Sequence, residues 1–131
     1  MLGGEVSNGR STTYGGNISF VTTASSGLLL GGAITGGTAG TYAHCVYVNN
    51  NNVVIGGSVQ ITELMFGGSK TATVSTDVPF AQGALVGLTL QNAPTNYTTV
   101  IKNFNDLSWF VCAMDGFKLD INGSNIVIKP Q

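Results

Sequence analysis

The residues able to do chemistry are few, and their spacing sets limits on what they could do. Glu5, Glu63, Asp77, Asp106, Asp115 and Asp120 are the only acids. Glycoside hydrolysis needs two carboxylates held about 5 to 9.5 Å apart. Asp115 and Asp120 fall in turn and hairpin positions, and the remaining acids form no pair on a shared face of the repeats. His44 stands beside Cys45, but neighbours on a strand point to opposite faces and cannot serve each other as base and nucleophile. Gly68-Ser69-Lys70-Thr71 lacks the Gly-Lys-Thr order and the strand-to-helix setting of a phosphate loop. Asp120-Ile121-Asn122-Gly123-Ser124 lacks the further ligands and closing glutamate of a calcium loop, and a hairpin turn explains it better. Asn17, Asn96 and Asn122 fit the glycosylation pattern, which matters only in a eukaryotic secretory setting. No catalytic residue, metal ligand or cofactor is therefore expected. What remains is aromatic: Tyr97, Trp109 and Tyr14 are the candidates for stacking on a sugar, and the competing reading places these rings in the core or at a subunit interface.

Composition narrows the field from the other side. Only 8% of the 131 residues are charged, 43% are hydrophobic and 19 are glycine, which describes a β-rich, turn-rich chain and neither a disordered one nor an ordinary helical enzyme. Arg10, Lys70, Lys102, Lys118 and Lys129 are scattered singly at a net charge of −1, so nucleic acid is not an expected partner. No basic segment leads into an apolar run, and no stretch approaches the roughly 18 apolar residues of a spanning helix, so membrane insertion is not expected either. Cys45 and Cys112 are far apart, without metal spacing, and read as two buried thiols.

The elements that must position these residues announce themselves as a repeat. Leu28-Leu29-Leu30-Gly31-Gly32-Ala33-Ile34 and Val53-Val54-Ile55-Gly56-Gly57-Ser58-Val59 share one order of residue types, 25 residues apart. Shorter echoes stand at Gly3-Gly4-Glu5-Val6 and Gly15-Gly16-Asn17-Ile18. A unit this small cannot bury its own apolar face and must stack on its neighbours. Residues 1–66 accordingly read as parallel β-helix-like repeats, with Leu29, Ile34, Val54, Ile55 and Val59 inward and the glycine pairs at bends. The turn asparagines Asn49 to Asn52 are placed to form ladders. Uneven intervals between glycine pairs put some of them on different sides of a coil, or place the first half in an intertwined trimeric prism; an antiparallel meander is the other alternative.

At Gly67-Gly68-Ser69-Lys70 the pattern changes, and residues 67–131 read as a small antiparallel β-sandwich. Thr71 to Ser75, Ala84 to Leu90, Tyr97 to Ile101 and Leu107 to Met114 are expected strands. Asp115-Gly116 and Asn122-Gly123 are expected two-residue turns flanking Phe117–Ile121. Phe117, Leu119 and Ile121 share a dry face, with Lys118 and Asp120 on the wet one.

These same stretches carry a resemblance. Thr73-Val74-Ser75-Thr76-Asp77-Val78-Pro79-Phe80, Ala84-Leu85-Val86-Gly87-Leu88, Trp109 to Met114 and Asp115-Gly116-Phe117-Lys118-Leu119 resemble the C-terminal β-sandwich of phage tail fibres and tailspikes, a group that includes H-type-lectin-like modules. Val46-Tyr47-Val48-Asn49 leading to Val53-Val54-Ile55-Gly56-Gly57 resembles the last coils of a tailspike β-helix of the pectate-lyase-like kind. The resemblance implies a virion tail protein that forms a homotrimer and touches host cell-surface polysaccharide. It also implies that any depolymerase activity of the parent protein lies upstream. The opening glycine unit has no polar cap, which reads as the C-terminal piece of a longer stack. Modules of about 65 residues bury only about 60% of their unfolded surface alone, and with so little charge to cover the rest, a homotrimer is the expected assembly.

Overall fold

A computed structural model describes residues 1–22, 26–40 and 45–131. Within them the chain winds as a parallel β-solenoid of about four turns. The first coil holds β1 (Glu5–Ser7), β2 (Arg10–Ser11), β3 (Ile18–Phe20) and β4 (Gly27–Leu29), and the second holds β5 (Ala33–Thr35), β6 (Thr38–Ala39), β7 (Val46–Val48) and β8 (Val53–Ile55). The third has only β9 (Gln60–Phe66) and β10 (Ala72–Val74), and the fourth β11 (Leu85–Leu90) and β12 (Thr98–Lys102). A 3₁₀ turn at Leu107–Trp109 then leads into β13 (Phe110–Cys112), β14 (Phe117–Asn122) and β15 (Asn125–Pro130).

Two sheets face each other across one core. The seven-stranded sheet runs β1-β5-β9-β11-β13, with β3 and β7 joined to it through β9, and the six-stranded sheet runs β14-β15-β12-β10-β8-β4. Inward side chains stack from coil to coil. Ile34, Ile61, Val86 and Phe110 form one such column and Val48, Phe66 and Leu90 another, and all seven are buried. Rungs about 4.8 Å apart bring each apolar side chain onto its equivalent in the next coil, which is how units too small for a core of their own acquire one.

The repeat seen in sequence is therefore real but slips by a residue. Aligning the glycine pairs sets Leu29 against Val54, whereas the ladder pairs Leu29 with Ile55 and Leu28 with Val54. Since the side-chain period is two, that slip decides the faces: Leu29 and Ile55 are buried, Val54 is only half-buried, and Leu28 is 58% exposed. Val54 thus leaves the expected core, while Leu29, Ile34, Ile55 and Val59 stay in it. Gly3-Gly4, Gly31-Gly32 and Gly56-Gly57 line one corner of the solenoid, where Gly4, Gly32 and Gly57 carbonyls accept from the N–H of Ala33, Gln60 and Ala81 at 2.9 Å each. At Gly57, with φ +58°, a Cβ would run into the Leu30 carbonyl oxygen, so no other residue lets the coils approach there. Gly15-Gly16 lies elsewhere, in the excursion between β2 and β3, which accounts for the uneven intervals. Between β1 and β3 and between β5 and β7, β2 and β6 make an excursion from the seven-stranded sheet and pair with each other in parallel as a two-stranded sheet. In the third coil β9 spans both sites without one.

The opposite corner holds the asparagine run. Asn50 Nδ2 donates to the Thr22 carbonyl (3.1 Å) in the coil before, and Asn51 Oδ1 accepts from the Thr71 N–H (3.1 Å) in the coil after. Asn50 Oδ1 also takes the Asn52 N–H at 3.0 Å. The asparagines clamp neighbouring backbones and do not stack on asparagines. Gly67 to Lys70, the expected boundary, occupies this same corner one coil later. Both sheets continue through it in parallel, β9 to β11 and β8 to β10 to β12. Tyr47 Oη even reaches across Gly67 to donate to Gln91 Oε1 at 2.6 Å.

The antiparallel part is β12, β15 and β14, the end of the six-stranded sheet. The expected strand from Leu107 to Met114 is split. Asp106 accepts from the Ser108 N–H (3.0 Å) and hydroxyl (2.6 Å), capping a 3₁₀ turn that delays the strand to Phe110. β13 then joins β11 in parallel, so Asp115-Gly116 is a crossing between sheets and not a hairpin turn. The hairpin turn proper is Gly123-Ser124, one residue later than expected, with Asn122 and Asn125 the last pair and Gly123 at φ +64°. Phe117 and Leu119 pack on the core as expected, but the dry face fades at Ile121, which is exposed at the strand end.

Candidate functional site

The three candidate rings end up in three different settings. Tyr14, in the first excursion, stacks on Tyr47 of β7 with ring centres 4.8 Å apart and planes 13° from parallel. Trp109, closing the 3₁₀ turn, stacks on Phe80 at 5.4 Å, and Phe80 meets Phe104 and Phe110 edge-on at 5.6 and 5.5 Å. That aromatic cluster packs against the end of the core, so Trp109 serves packing. Tyr97 is the most exposed of the three: it ends the loop before β12, is 48% exposed against 37% for Tyr14, and belongs to no ring pair among the described residues.

Tyr97 borders a groove of about 240 Å³ with Asp120, Ile121 and Asn122 of β14 and Val127 and Lys129 of β15. The strands explain the juxtaposition. Phe117 and Leu119 face the core, so alternation turns Lys118, Asp120 and Asn122 outward. The hairpin register then sets Asp120 opposite Val127 and Lys118 opposite Lys129, and β12 brings Thr99 opposite Val127. Val127 forms the floor; it is buried yet separate from the main core. Lys129 Nζ pairs with Asp120 Oδ2, and Asp120 Oδ1 accepts from the Ile121 N–H at 2.8 Å. Those two hydrogen bonds, the lysine's first, hold the Asp120 carboxyl below its ordinary range.

The sequence points to Tyr97 but not to Asp120, Asn122 and Lys129 as its neighbours. The available signal was the wet-face alternation of Lys118 and Asp120; the partners depend on cross-strand register. Asp106 is likewise held low, by its Ser108 hydroxyl and N–H bonds, and is committed to capping. Cys45 is buried and donates its thiol to the Ile34 carbonyl at 3.2 Å, while Cys112 is only half-buried. His44 lies outside the described residues, so its pairing with Cys45 does too. Among the described residues no three His, Cys, Asp or Glu side chains gather as a metal site would require.

A second surface differs in kind. Strands of the seven-stranded sheet contain just two charged residues, Glu5 and Glu63, whereas those of the six-stranded sheet carry Lys102, Lys118, Asp120 and Lys129. On the outer side of the first sheet Leu85 and Val111 are each 47% exposed, with side-chain-less Gly87 paired to Val111 between them. Comparison with protein-family models, curated proteins and solved structures finds no match for this chain.

Proposed function

We propose that this chain is a structural segment of a phage tailspike or tail fibre, in which three copies associate through the outer face of the seven-stranded sheet and stiffen an appendage that contacts the host surface. The observation that carries this reading is the charge-poor face itself. With Leu85 and Val111 half-exposed beside uncharged Gln60 and Thr62, and two carboxylates in all its strands, this face has little charge to keep a second copy away. Closure of three copies about one axis would cover it while leaving the charged six-stranded sheet outside. A solenoid also suits the role mechanically, because its ladders run the length of the molecule and every coil is held by those on either side. Native mass measurement at micromolar concentration tests the reading. The expected species has three times the 13.5 kDa chain mass, with Val111→Lys shifting it toward monomer. A stable, well-folded monomer of the unmodified chain would overturn it.

A further inference from the structure

We propose that Asn122 is a site of spontaneous covalent modification, at which the backbone nitrogen of Gly123 closes on the Asn122 side chain and the ring reopens to aspartate or isoaspartate. The site lies in the turn of the terminal hairpin, and the reaction needs no ligand, partner or assembled state. It is therefore independent of the assembly role.

The chemistry is open to any asparagine followed by glycine. The Gly123 amide nitrogen, on losing its proton, attacks Cγ of the Asn122 carboxamide; a new C–N bond forms, the Cγ–Nδ2 bond breaks, and the departing nitrogen takes up protons and leaves as ammonia. Water then opens the cyclic imide at either carbonyl. One opening gives an ordinary aspartate, the other an isoaspartate whose main chain runs through the former side chain. Nothing is oxidised or reduced, and water is the only co-reactant. Glycine favours ring closure because it has no side chain to obstruct the approach and leaves the backbone free to rotate. The chain contains two such pairs, Asn8-Gly9 and Asn122-Gly123, and in sequence they are equivalent.

The fold makes them unequal. The Gly9 N–H donates to Asn17 Oδ1 at 2.7 Å, and the Gly9 carbonyl accepts from the Thr38 N–H at 2.9 Å. The Gly16 carbonyl and Asn17 crowd Gly9 from the side, so the nucleophile of the first pair is occupied and its backbone is fixed. At the second pair Asn122, Gly123 and Ser124 are all exposed, and a Cβ on Gly123 would meet nothing within 4 Å. Gly123 at φ +64°, followed by Ser124 outside the positive range, makes a type II′ turn. The hydrogen bond of such a turn joins its first and fourth residues, here Asn122 and Asn125, and leaves the Gly123 N–H to solvent. Both products disturb the hairpin. Aspartate adds a carboxylate to the outward face of β14 that already carries Asp120, and isoaspartate lengthens the main chain of a turn whose register holds only Gly123 and Ser124 between paired residues.

The test is to age the 131-residue chain in mildly alkaline buffer, folded and in urea, and to follow its tryptic peptides by fragmentation mass spectrometry. Cleavage after Arg10 and Lys118 puts the two pairs on separate peptides, residues 1–10 and 119–131. A hydrogen bond of ordinary strength that must break before Gly9 reacts slows its reaction about fivefold. Conversion at Asn122 in the folded chain should therefore outrun that at Asn8 by at least about fivefold, and the two rates should converge in urea. Asn17→Ala, which releases the Gly9 N–H, should raise the Asn8 rate and leave the Asn122 rate unchanged, with a thermal melt to confirm that the variant is folded. Asn122→Gln, whose longer side chain does not close the same ring, should abolish the mass gain in residues 119–131. The isoaspartate-bearing fraction should melt at a lower temperature than fresh chain. Equal rates at the two pairs in the folded chain would overturn the inference, as would conversion at Asn122 that occurs only in urea. A mass gain that survives Asn122→Gln would place the modification on another residue and overturn it as well.

Discussion

The first two coils and the last strands of the solenoid meet the same physical demand, to hide apolar side chains and pair every backbone group, by different means. In the first two coils the strands have at most three residues, glycine pairs make one corner, and polar side chains tie one coil to the next. Asn17 alone accepts from the Gly9 N–H (2.7 Å) and donates to the Thr35 and Gly36 carbonyls (2.9 and 3.1 Å). At the start of the stack β1, β3 and β4 are each paired on one side only, and Leu2 is 79% exposed. At the other end the strands lengthen, four aromatic rings cluster over the core, and a hairpin folds back with Leu119 and Phe117 beneath it. Identical rungs can extend a stack without limit, and they have no means of ending it. An end is made by reversing the chain and by side chains large enough to cover the last rung.

The sharpest test of this contrast is whether the two regions nevertheless unfold together. Phe66 is the largest fully buried side chain and lies beside the corner at Gly67, touching coils on both sides. Phe66→Ala should cost about 3 to 5 kcal/mol, and urea denaturation should show one transition by both tryptophan fluorescence and circular dichroism. Two separated transitions would mean that the coils and the terminal strands are distinct units after all.

Next in size is the turn that reverses the chain. Gly123→Val places a branched residue at φ +64° and should cost about 1 to 3 kcal/mol, against less than about 0.5 for Ser124→Ala beside it. Equal effects would show that the turn conformation is not what holds the hairpin. On the first coils the corresponding change is Asn17→Ala, which strands the partly buried Gly9 N–H and Thr35 carbonyl and should cost about 1 to 2 kcal/mol. Hydrogen exchange should then speed up around the excursion and leave β14 and β15 unaltered; uniform acceleration would contradict the local role of Asn17.

The smallest effect is electrostatic and belongs to the terminal region. The carboxyls of Asp106 and Asp120 are held low in the folded chain. A depressed folded value means that the stabilisation is complete above the ordinary carboxylate range and is lost as pH falls through the folded values. The melting temperature should therefore decline on the acid side, modestly because both groups are exposed. Asp106→Asn combined with Asp120→Asn should flatten that decline. An unchanged acid slope in the double variant would place the sensitivity elsewhere.

Much of this architecture is legible residue by residue. The all-β class, the stacking of glycine-punctuated units, the burial of Leu29, Ile34, Ile55 and Val59, and a reversal near Gly123 all follow from short-range causes: side-chain alternation, glycine's access to positive φ, and the size of the repeating unit. What the tertiary structure alone decided are the matters of partnership. A strand such as Phe110–Cys112 carries the same alternation whether it pairs in parallel with β11 or antiparallel with β14. Gly67-Gly68 reads the same as a boundary or as one more corner, and Leu28 and Leu29 are interchangeable until the register with Val54 and Ile55 is set. The rings of Tyr14, Trp109 and Tyr97 are equally plausible contacts in sequence. Stacking on Tyr47, packing on Phe80, and the approach of Asp120 and Lys129 separate them, and each of these joins residues distant along the chain. Local pattern determines which face of a strand is apolar; only the energy of the assembled core selects which strand lies beside it.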